Sequence, residues 1–254
     1  MDLAAALGLG DRELVSFVGA GGKKTSMARL AAQGRGRLHV GYTTTTHMPP
    51  PPDLSLVVEG PDGIESAVRS AVRTEGAIAF ASRAVENPSR VDVKVKGFDP
   101  AAIDALYDAT VLDWILVKAD GARMREFKAP DVDEPAVPAE STVVVPVVSA
   151  KAFDAVLTEE TVHRPERVAT IASRSIGDVI TPALVGAVLA SQSGGLKQVP
   201  DGARVVPLIN KADGNAERRQ AREALAAAFD RTDRFETGLI TSFEADTLEV
   251  VTAD

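Results

Sequence analysis

FVGAGGKKTSMARLA, residues 17–31, has the composition of a glycine-rich turn between a strand and a helix. The run before it, Leu14–Val18, is mostly apolar and suits a buried strand, and Lys24–Ala32 consists of good helix formers. Such a turn directs backbone N–H groups and a helix N-terminus at one point, which is an arrangement that binds phosphate. The stretch therefore predicts a phosphate-binding loop in an α/β fold.

The spelling of this loop departs from the general pattern GxxxxGK[ST], in which lysine contacts phosphates and a hydroxyl completes a Mg²⁺ shell. If Gly22 and Lys23 form the GK pair, Lys24 stands where a hydroxyl is required. We favour pairing Lys24 with Thr25, because this register keeps a hydroxyl after the lysine and gives a loop nearer the standard length. The predicted nucleotide contacts here are Gly19, Ala20, Gly21, Gly22, Lys23, Lys24, Thr25 and Ser26.

The composition limits the chemistry. The 254 residues include no cysteine, which excludes disulfides, thiolate nucleophiles and cysteine-bound metals. The formal charge of −8 gives no broad attraction to nucleic acid or to an anionic membrane. Residues 1–13 lack the basic segment and cleavage site of a signal peptide, and no apolar run reaches the roughly 20 residues that span a bilayer. We therefore expect a cytoplasmic protein without nucleic-acid or membrane partners.

Short apolar, β-branched runs alternate with segments of helical periodicity. This pattern is typical of βαβ units, so the sequence predicts one α/β domain over residues 1–254, with a mostly parallel sheet flanked by helices. The alternating Val91–Gly97 predicts an edge strand in a small hairpin, and a helical cap is expected at about 149–195. The predicted buried strands are ELVSFVG (13–19), RLHVGYT (37–43), LSLVVE (54–59), AIAFAS (77–82), WILVKA (114–119), TVVVPVV (142–148), ARVVPLIN (203–210) and FETGLIT (235–241).

A second part of the phosphate site is indicated by Asp120, which follows the apolar strand in WILVKADG. Ligands of parallel sheets bind at the carboxyl ends of the strands, and an acid there can hold Mg²⁺ through water. Thr25 and Asp120 are the predicted metal ligands. The alternative for Asp120 is an ordinary turn, because an acidic residue before a glycine is also typical of turns. Farther along, Arg123, Arg125 and Lys128 can pair with an anionic substrate or a transferred phosphoryl group, or can be ordinary surface charges.

Two more motifs follow predicted strands. NKAD, residues 210–213, resembles the guanine-reading motif of GTPases. The aspartate of that motif accepts hydrogen bonds from the N1 and the exocyclic amine of guanine, and adenine does not present these groups in the same way. An Asx-type turn before a helix is the alternative. GYTTTTHMPPPP, residues 41–52, offers hydroxyls to phosphate or Mg²⁺, or is a stiff extension of a strand; His47 within it has the character of a structural or surface residue. The predicted nucleotide contacts in these motifs are Thr43, Thr44, Thr45, Asn210, Lys211 and Asp213.

These pieces, in this order, resemble the YqeC family of P-loop proteins, described as accessory proteins for selenium-dependent molybdenum hydroxylases. The resemblance implies a P-loop NTPase-like fold and a role in maturing or inserting a molybdenum cofactor, with that cofactor or a molybdenum hydroxylase as partner. The glycine loop followed by threonines is also similar to that of Mur-type ligases, which use ATP to activate a carboxylate. The segments that carry the resemblance are SFVGAGGKKTSMARLA, VGYTTTTHMPPPP, WILVKADGARMREFKAPDVDEPAVP, VHRPERV and LINKADG.

The chain departs from the family pattern at three places. Lys118 stands where the family usually has an acid, and Asp133 stands where it has histidine. Lys24 is an insertion in, or a replacement within, the family loop Gly-Ala-Gly-Gly-Lys-Thr-Thr. The change at Lys118 removes a candidate Mg²⁺ ligand or base.

The sequence thus predicts a Mg²⁺-dependent NTPase that binds ATP or GTP. Two alternatives stay open: transfer of a phosphoryl or nucleotidyl group to a small molecule, with Mur-like ligase chemistry as one form, and nucleotide binding without turnover by a chaperone of a partner enzyme. No general base is evident, and Glu126 and Glu134 are the acids nearest to the strand end in sequence. The predicted catalytic residues are Lys23, Lys24, Arg123 and Lys128.

Overall fold

The computed structural model of the chain describes residues 1–85 and 94–253. Helices and strands alternate over these ranges. The helices are α1 (Leu3–Ala6), α2 (Lys23–Gly34), α3 (Ile64–Glu75), α4 (Pro100–Asp108), α5 (Pro165–Ala172), α6 (Pro182–Leu189) and α7 (Asn215–Phe229), with a 3₁₀ turn at Ala150–Ala152. The strands are β1 (Glu13–Gly19), β2 (Val40–Thr44), β3 (His47–Met48), β4 (Ser55–Val58), β5 (Ala77–Ala81), β6 (Arg83–Val85), β7 (Lys94–Lys96), β8 (Trp114–Lys118), β9 (Phe127–Lys128), β10 (Val143–Ser149), β11 (Val162–His163), β12 (Arg204–Val205), β13 (Leu208–Asn210), β14 (Thr237–Ser242) and β15 (Thr247–Thr252).

One large sheet forms the centre of the molecule. Its strands lie in the order β15-β14-β13-β10-β1-β8-β2-β5-β4, and the short β12 also pairs with β10. Every pairing is parallel except that of β14 with β15. The predicted α/β class, with a mostly parallel sheet flanked by helices, is confirmed.

Strand β1 lies in the middle of this sheet and is buried on both faces. Val15 and Phe17 belong to the core under α2, whereas Leu14 and Val18 belong to the core under α3 and α4. A continuous apolar run is what a parallel strand covered on both faces requires. Helices α6 and α7 cover the same face as α3 and α4, farther along the sheet, over Val148 of β10.

The region of the predicted helical cap contains α5 and α6, and α6 packs lengthwise on α7. The predicted edge strand at Val91–Gly97 has a described part, β7, which pairs antiparallel with β3 and β6 in a separate small sheet. Residues 91–93 of that prediction lie outside the described residues. In the described ranges, no helix is both long enough and apolar enough to cross a bilayer.

The predicted strand at 203–210 forms as two pieces. β12 pairs with β10, and β13 begins only after Pro207. Proline has no N–H to donate to a ladder, so the strand is interrupted there. Strand β15 is not predicted from the sequence. It is a largely exposed antiparallel edge strand, and such a strand does not need the continuous apolar run by which the predicted strands are recognised.

Candidate functional site

Parallel pairing brings several strand ends to one edge of the sheet. Gly19 at the end of β1 is level with Val147 of β10, and Thr44 at the end of β2 is level with Lys118 of β8. Asn210, the last residue of β13, is level with Ser149. Ligands of open parallel sheets bind at this edge. The residues that the sequence singles out therefore meet at one side of the molecule.

The glycine loop, Gly19–Gly22, joins β1 to α2 and lies against two neighbouring segments. Gly21 has φ of 80°, and a β-carbon on it would lie 2.6 Å from the backbone nitrogen of Ser149. A β-carbon on Gly22 would collide with the Asn210 side-chain amide. Glycine is needed at both positions because the loop is pressed against other parts of the chain.

The backbone amides of the loop fall into two groups. Gly19 N donates to Asp120 Oδ2 at 2.8 Å, and Ala20 N donates to Val147 O at 2.8 Å, so these two amides are engaged internally. The amides of Gly21 and Gly22 donate to no oxygen in the part of the chain that the structure describes, and α2 begins at Lys23 without a side-chain cap. Free amides at a helix N-terminus form a cradle for an anion.

Lys23 lies beneath this loop, and only 5% of it is exposed. Its Nζ lies 2.8 Å from Asp120 Oδ1 and also donates to Gly19 O. Burial lowers the pKa of Lys23, and the charge of Asp120 opposes that effect. Burial alone would raise the pKa of Asp120, but Lys23 and Lys128 outweigh it and hold that pKa below its usual value.

A row of alternating charges continues from this pair. Lys128 Nζ lies 3.0 Å from Asp120 Oδ2 and 2.8 Å from Glu134 Oε2, and it donates to Gly121 O at 2.7 Å. Glu134 also accepts from Arg164 Nη1 at 2.9 Å. The members of this charged row are Lys23, Asp120, Lys128, Glu134 and Arg164.

The charged row changes the interpretation of two predicted candidates. Lys128, 4% exposed, is enclosed by two carboxylates and a carbonyl, so its ammonium already has three acceptors. Burial would raise the pKa of Glu134, but its hydrogen bond from Lys128 and the nearby cations hold that pKa low. Arg164 is missed by sequence reasoning as a site residue, although VHRPERV is among the segments that carry the family resemblance.

Lys118 is a further buried cation, with 8% of the residue exposed. Its Nζ donates to Thr46 Oγ1 at 2.8 Å and to His47 O at 3.2 Å. Burial lowers the pKa of Lys118 to about 7, and the charges of Lys23 and Lys128 act in the same direction. From the sequence, this residue is notable only as a departure from the family pattern.

The predicted threonine contacts differ from one another. Thr43 Oγ1 donates to Phe80 O at 2.8 Å, and Thr44 Oγ1 donates to Lys118 O at 2.6 Å, so both hydroxyls hold strands together. Thr45 Oγ1 is buried and has no hydrogen-bond partner within residues 1–85 and 94–253. Of the three predicted threonine contacts, Thr45 is thus the one whose hydroxyl has no acceptor or donor among the described residues and can meet a ligand.

The first turn of α2 presents the other loop candidates. Lys24 and Thr25 are exposed, whereas Ser26 is buried and donates to Gly22 O at 3.2 Å. Arg123 is exposed in a turn, with a left-handed φ of 46°. The pairing of Lys24 with Thr25 stays a prediction, but the lysine that the fold buries beneath the loop is Lys23.

The NKAD motif is split between two tasks. Asn210 Nδ2 donates to Gly21 O at 3.1 Å, and Asn210 Oδ1 accepts from Thr241 Oγ1 at 3.0 Å, so this residue fastens the loop to β14. Asp213 lies nearer the surface and accepts from Ser242 Oγ at 2.7 Å. The structure thus brings Asn210 to the glycine loop and leaves the Asp213 carboxylate accessible, with its side chain 35% exposed.

Lys211 pairs with one of the two acids nearest to the strand end. Its Nζ lies 2.6 Å and 2.8 Å from the two carboxylate oxygens of Glu126. Burial would raise the pKa of Glu126, but hydrogen bonds from Lys211 and Ser149 hold it low. Glu126 and Glu134 are thus both carboxylates neutralised by cations, which makes them weak bases.

The predicted magnesium ligands do not fit a metal ion in this arrangement. Asp120 directs its oxygens at two ammonium groups and one backbone N–H, and Thr25 is exposed on α2. Among the described residues, no group of three or more histidines, aspartates or glutamates could hold a metal. Mg²⁺ is a hard cation that takes oxygen ligands, and neighbouring ammonium groups repel it.

Residues 15–166 match the model of a protein family described as YqeC protein. The chain is also similar to a protein of Escherichia coli (strain K12) named "Uncharacterized protein YqeC", with 35% identity over 200 residues that cover 78% of this chain and 75% of that protein. The chain belongs to the YqeC family. The matched range contains the glycine loop and the whole charged row of this YqeC-family chain, whereas Asn210 lies beyond it.

Proposed function

We propose that the chain binds the phosphates of a nucleoside triphosphate at Gly19–Gly22 and hydrolyses the nucleotide slowly, as a P-loop NTPase. The observation that carries this proposal is the buried ammonium of Lys23 beneath a loop whose Gly21 and Gly22 amides have no acceptor among the described residues. Amides and an ammonium directed at one point are the components that a phosphate site requires.

The cost of burying charge supports this assignment. An ammonium taken out of water is expensive to bury, and its attraction to one carboxylate offsets that cost only when the geometry is good. In this site, the Lys23 ammonium is already dehydrated and held by Asp120 and Gly19 O. A phosphate oxygen can replace one of these acceptors without a further dehydration penalty on the lysine.

The proposal extends to the base through the NKAD segment. Asn210 fixes the loop, and three residues later the Asp213 carboxylate is accessible to solvent. A carboxylate accepts hydrogen bonds from the N1 and exocyclic amine of guanine, which favours GTP, and ATP remains the rival nucleotide. Competition between ATP and GTP for one fluorescent analogue tests the choice, and displacement by ATP alone would refute the guanine assignment.

Nucleotide hydrolysis is expected to be slow because the two acids nearest to the end of β8 are paired with cations. Glu126 and Glu134 are both neutralised by cations, so neither supplies a strong general base to activate water. Phosphate release by the chain alone is therefore expected to be slow, and a partner protein is expected to stimulate it. The accessory role in maturing a molybdenum hydroxylase rests on the family resemblance and makes that hydroxylase the first partner to test. Transfer to a small molecule would instead appear as a modified product.

The main test is titration of a fluorescent GTP analogue into the full chain and three variants. Lys23→Met is expected to weaken binding by about a hundredfold, as for loss of a charge-assisted contact, while Lys24→Met weakens it by less than about tenfold. Arg219→Met, on an exposed face of α7, is the charge-matched control and should bind like the parent chain. If Lys24→Met abolishes binding and Lys23→Met does not, the Lys24–Thr25 register is correct and Lys23 has another role.

A further inference from the structure

Within residues 1–85 and 94–253, Lys118 is a buried cation without a carboxylate partner of its own. It is 8% exposed, and its ammonium donates to a hydroxyl and a carbonyl, Thr46 Oγ1 and His47 O. Across the described ranges, it forms no ion pair with an aspartate or glutamate. Buried charges in folded proteins are normally paired, because neutral acceptors offset the loss of hydration only in part.

The neighbouring charges add to the uncompensated positive charge at Lys118. The charges that act on its ammonium come from Lys23, Lys128 and Lys24, which repel it, and from Asp120, which attracts it. Asp120 is already shared between Lys23 and Lys128. The edge of the sheet beside the glycine loop therefore carries an excess of buried positive charge, and an anion is the ligand that would balance it.

The same residues disfavour a metal. The Asp120 carboxylate lies within ion-pair distance of two ammonium groups, its Oδ2 accepts from the Gly19 amide, and the residue two positions before it is Lys118. In a site that binds a magnesium–nucleotide complex, the metal neutralises part of the phosphate charge. Here the buried lysines carry positive charge of their own, and Thr45 Oγ1, buried without a partner in the described part of the chain, is an additional hydrogen-bond donor.

We propose that the site takes the metal-free form of a nucleoside triphosphate, and that Lys118 supplies the positive charge that Mg²⁺ supplies in metal-dependent sites. This inference rests on the proposed nucleotide binding and specifies the ligand of that same site. It predicts that chelation of Mg²⁺ leaves binding intact and that the charge at position 118 decides whether the metal is needed.

The experiment titrates a fluorescent GTP analogue into the full chain at about pH 6, with either EDTA or excess MgCl₂ present. For the parent chain, the two dissociation constants are expected to agree within about threefold. Lys118→Met should weaken binding in EDTA by about tenfold or more. Lys118→Glu should lose binding in EDTA and regain it in MgCl₂, because a carboxylate beside Asp120 gives the metal an oxygen ligand. Arg219→Met is again the matched control, and thermal unfolding shows whether each variant is folded.

The outcomes separate this inference from the proposed function. Binding of nucleotide by the parent chain only in MgCl₂ overturns metal-free binding and leaves the proposed function standing. Parent-like affinity of folded Lys118→Met in EDTA overturns the role of Lys118. Absence of nucleotide binding in both media, with and without the substitutions, refutes the proposed function itself.

Discussion

Replacement of Lys118 by methionine should make the protein more stable at acidic pH. The pKa of this lysine falls from 10.5 to about 7 on folding, mainly because the side chain is buried. Each pKa unit corresponds to about 1.4 kcal/mol, so at pH below 7 the charged lysine lowers the free energy of unfolding by about 5 kcal/mol. Methionine fills a similar volume without a charge.

The gain is reduced by two lost hydrogen bonds, those to Thr46 Oγ1 and His47 O. We therefore expect Lys118→Met to raise the free energy of unfolding by about 2 kcal/mol at about pH 6. The sign of the pH dependence follows from the lowered pKa. The penalty is fully present below the folded pKa of about 7 and fades as pH rises toward the unfolded value of 10.5. The penalty shrinks by about 1.4 kcal/mol per pH unit above 7, so the variant should lose its advantage by about pH 8.5 and be less stable than the parent at about pH 9.5.

Urea denaturation of the parent chain and Lys118→Met at about pH 6 and about pH 9.5 measures both effects. The charged neighbours that share this environment, Lys23, Lys24, Lys128 and Asp120, are present in both proteins, so the difference between the two reports Lys118. A variant that is less stable than the parent at the lower pH, or a difference that does not change with pH, would refute the reasoning. Together with the expected loss of metal-free nucleotide binding, the gain would show that this lysine is kept at the expense of stability.

Three other predictions concern the loop and the buried carboxylate. Asp120→Asn should lower the free energy of unfolding by about 3–5 kcal/mol, because Lys23 and Lys128 lose their shared counter-ion; a urea-measured loss below about 1 kcal/mol would contradict this. The pKa of Asp120 is lowered in the folded protein, so its carboxylate stabilises the fold fully only at pH above its unfolded pKa of 3.8. The free energy of unfolding of the parent chain should therefore decrease as pH falls below about 4. In Asp120→Asn, this decrease should be smaller. Gly21→Ala should lower the free energy of unfolding by about 1–3 kcal/mol and weaken nucleotide binding, because residue 21 has a φ of 80° and lies against the Ser149 backbone. Titration with the GTP analogue measures the effect on binding. An affinity like that of the parent would contradict the close packing of the loop.

The glycine loop and the acid at the end of β8 could be found from the sequence because both are local signals. Each depends on a strand, a turn and a few letters within about a dozen residues. The same holds for Asn210, which lies at the end of β13 as expected. Its hydrogen bond to Gly21 O spans 189 residues and could not be read from the motif itself.

The charged row could not be predicted for a related reason. Lys128, Glu134 and Arg164 have ordinary sequence neighbourhoods, and only the tertiary fold brings their charges to Asp120. For that reason, Lys128 is a predicted phosphate contact that the fold surrounds with other partners. The excess charge at Lys118 is likewise a matter of burial, which apolar patterning does not reveal for a lysine at a strand end.

The order of strands in the large sheet has a consequence for how the family segment folds. The matched residues end at 166, yet β12, β13, β14 and β15 all come later in the chain and complete the sheet beyond β10. A polypeptide cut at residue 166 would leave β10 as an open parallel edge and uncover Val148, which packs in the core with residues of α6 and α7. A long apolar edge of this kind is a template for pairing with other chains. The segment that defines the family is therefore not an independent folding unit, and cooperative unfolding should include both ends of the sheet.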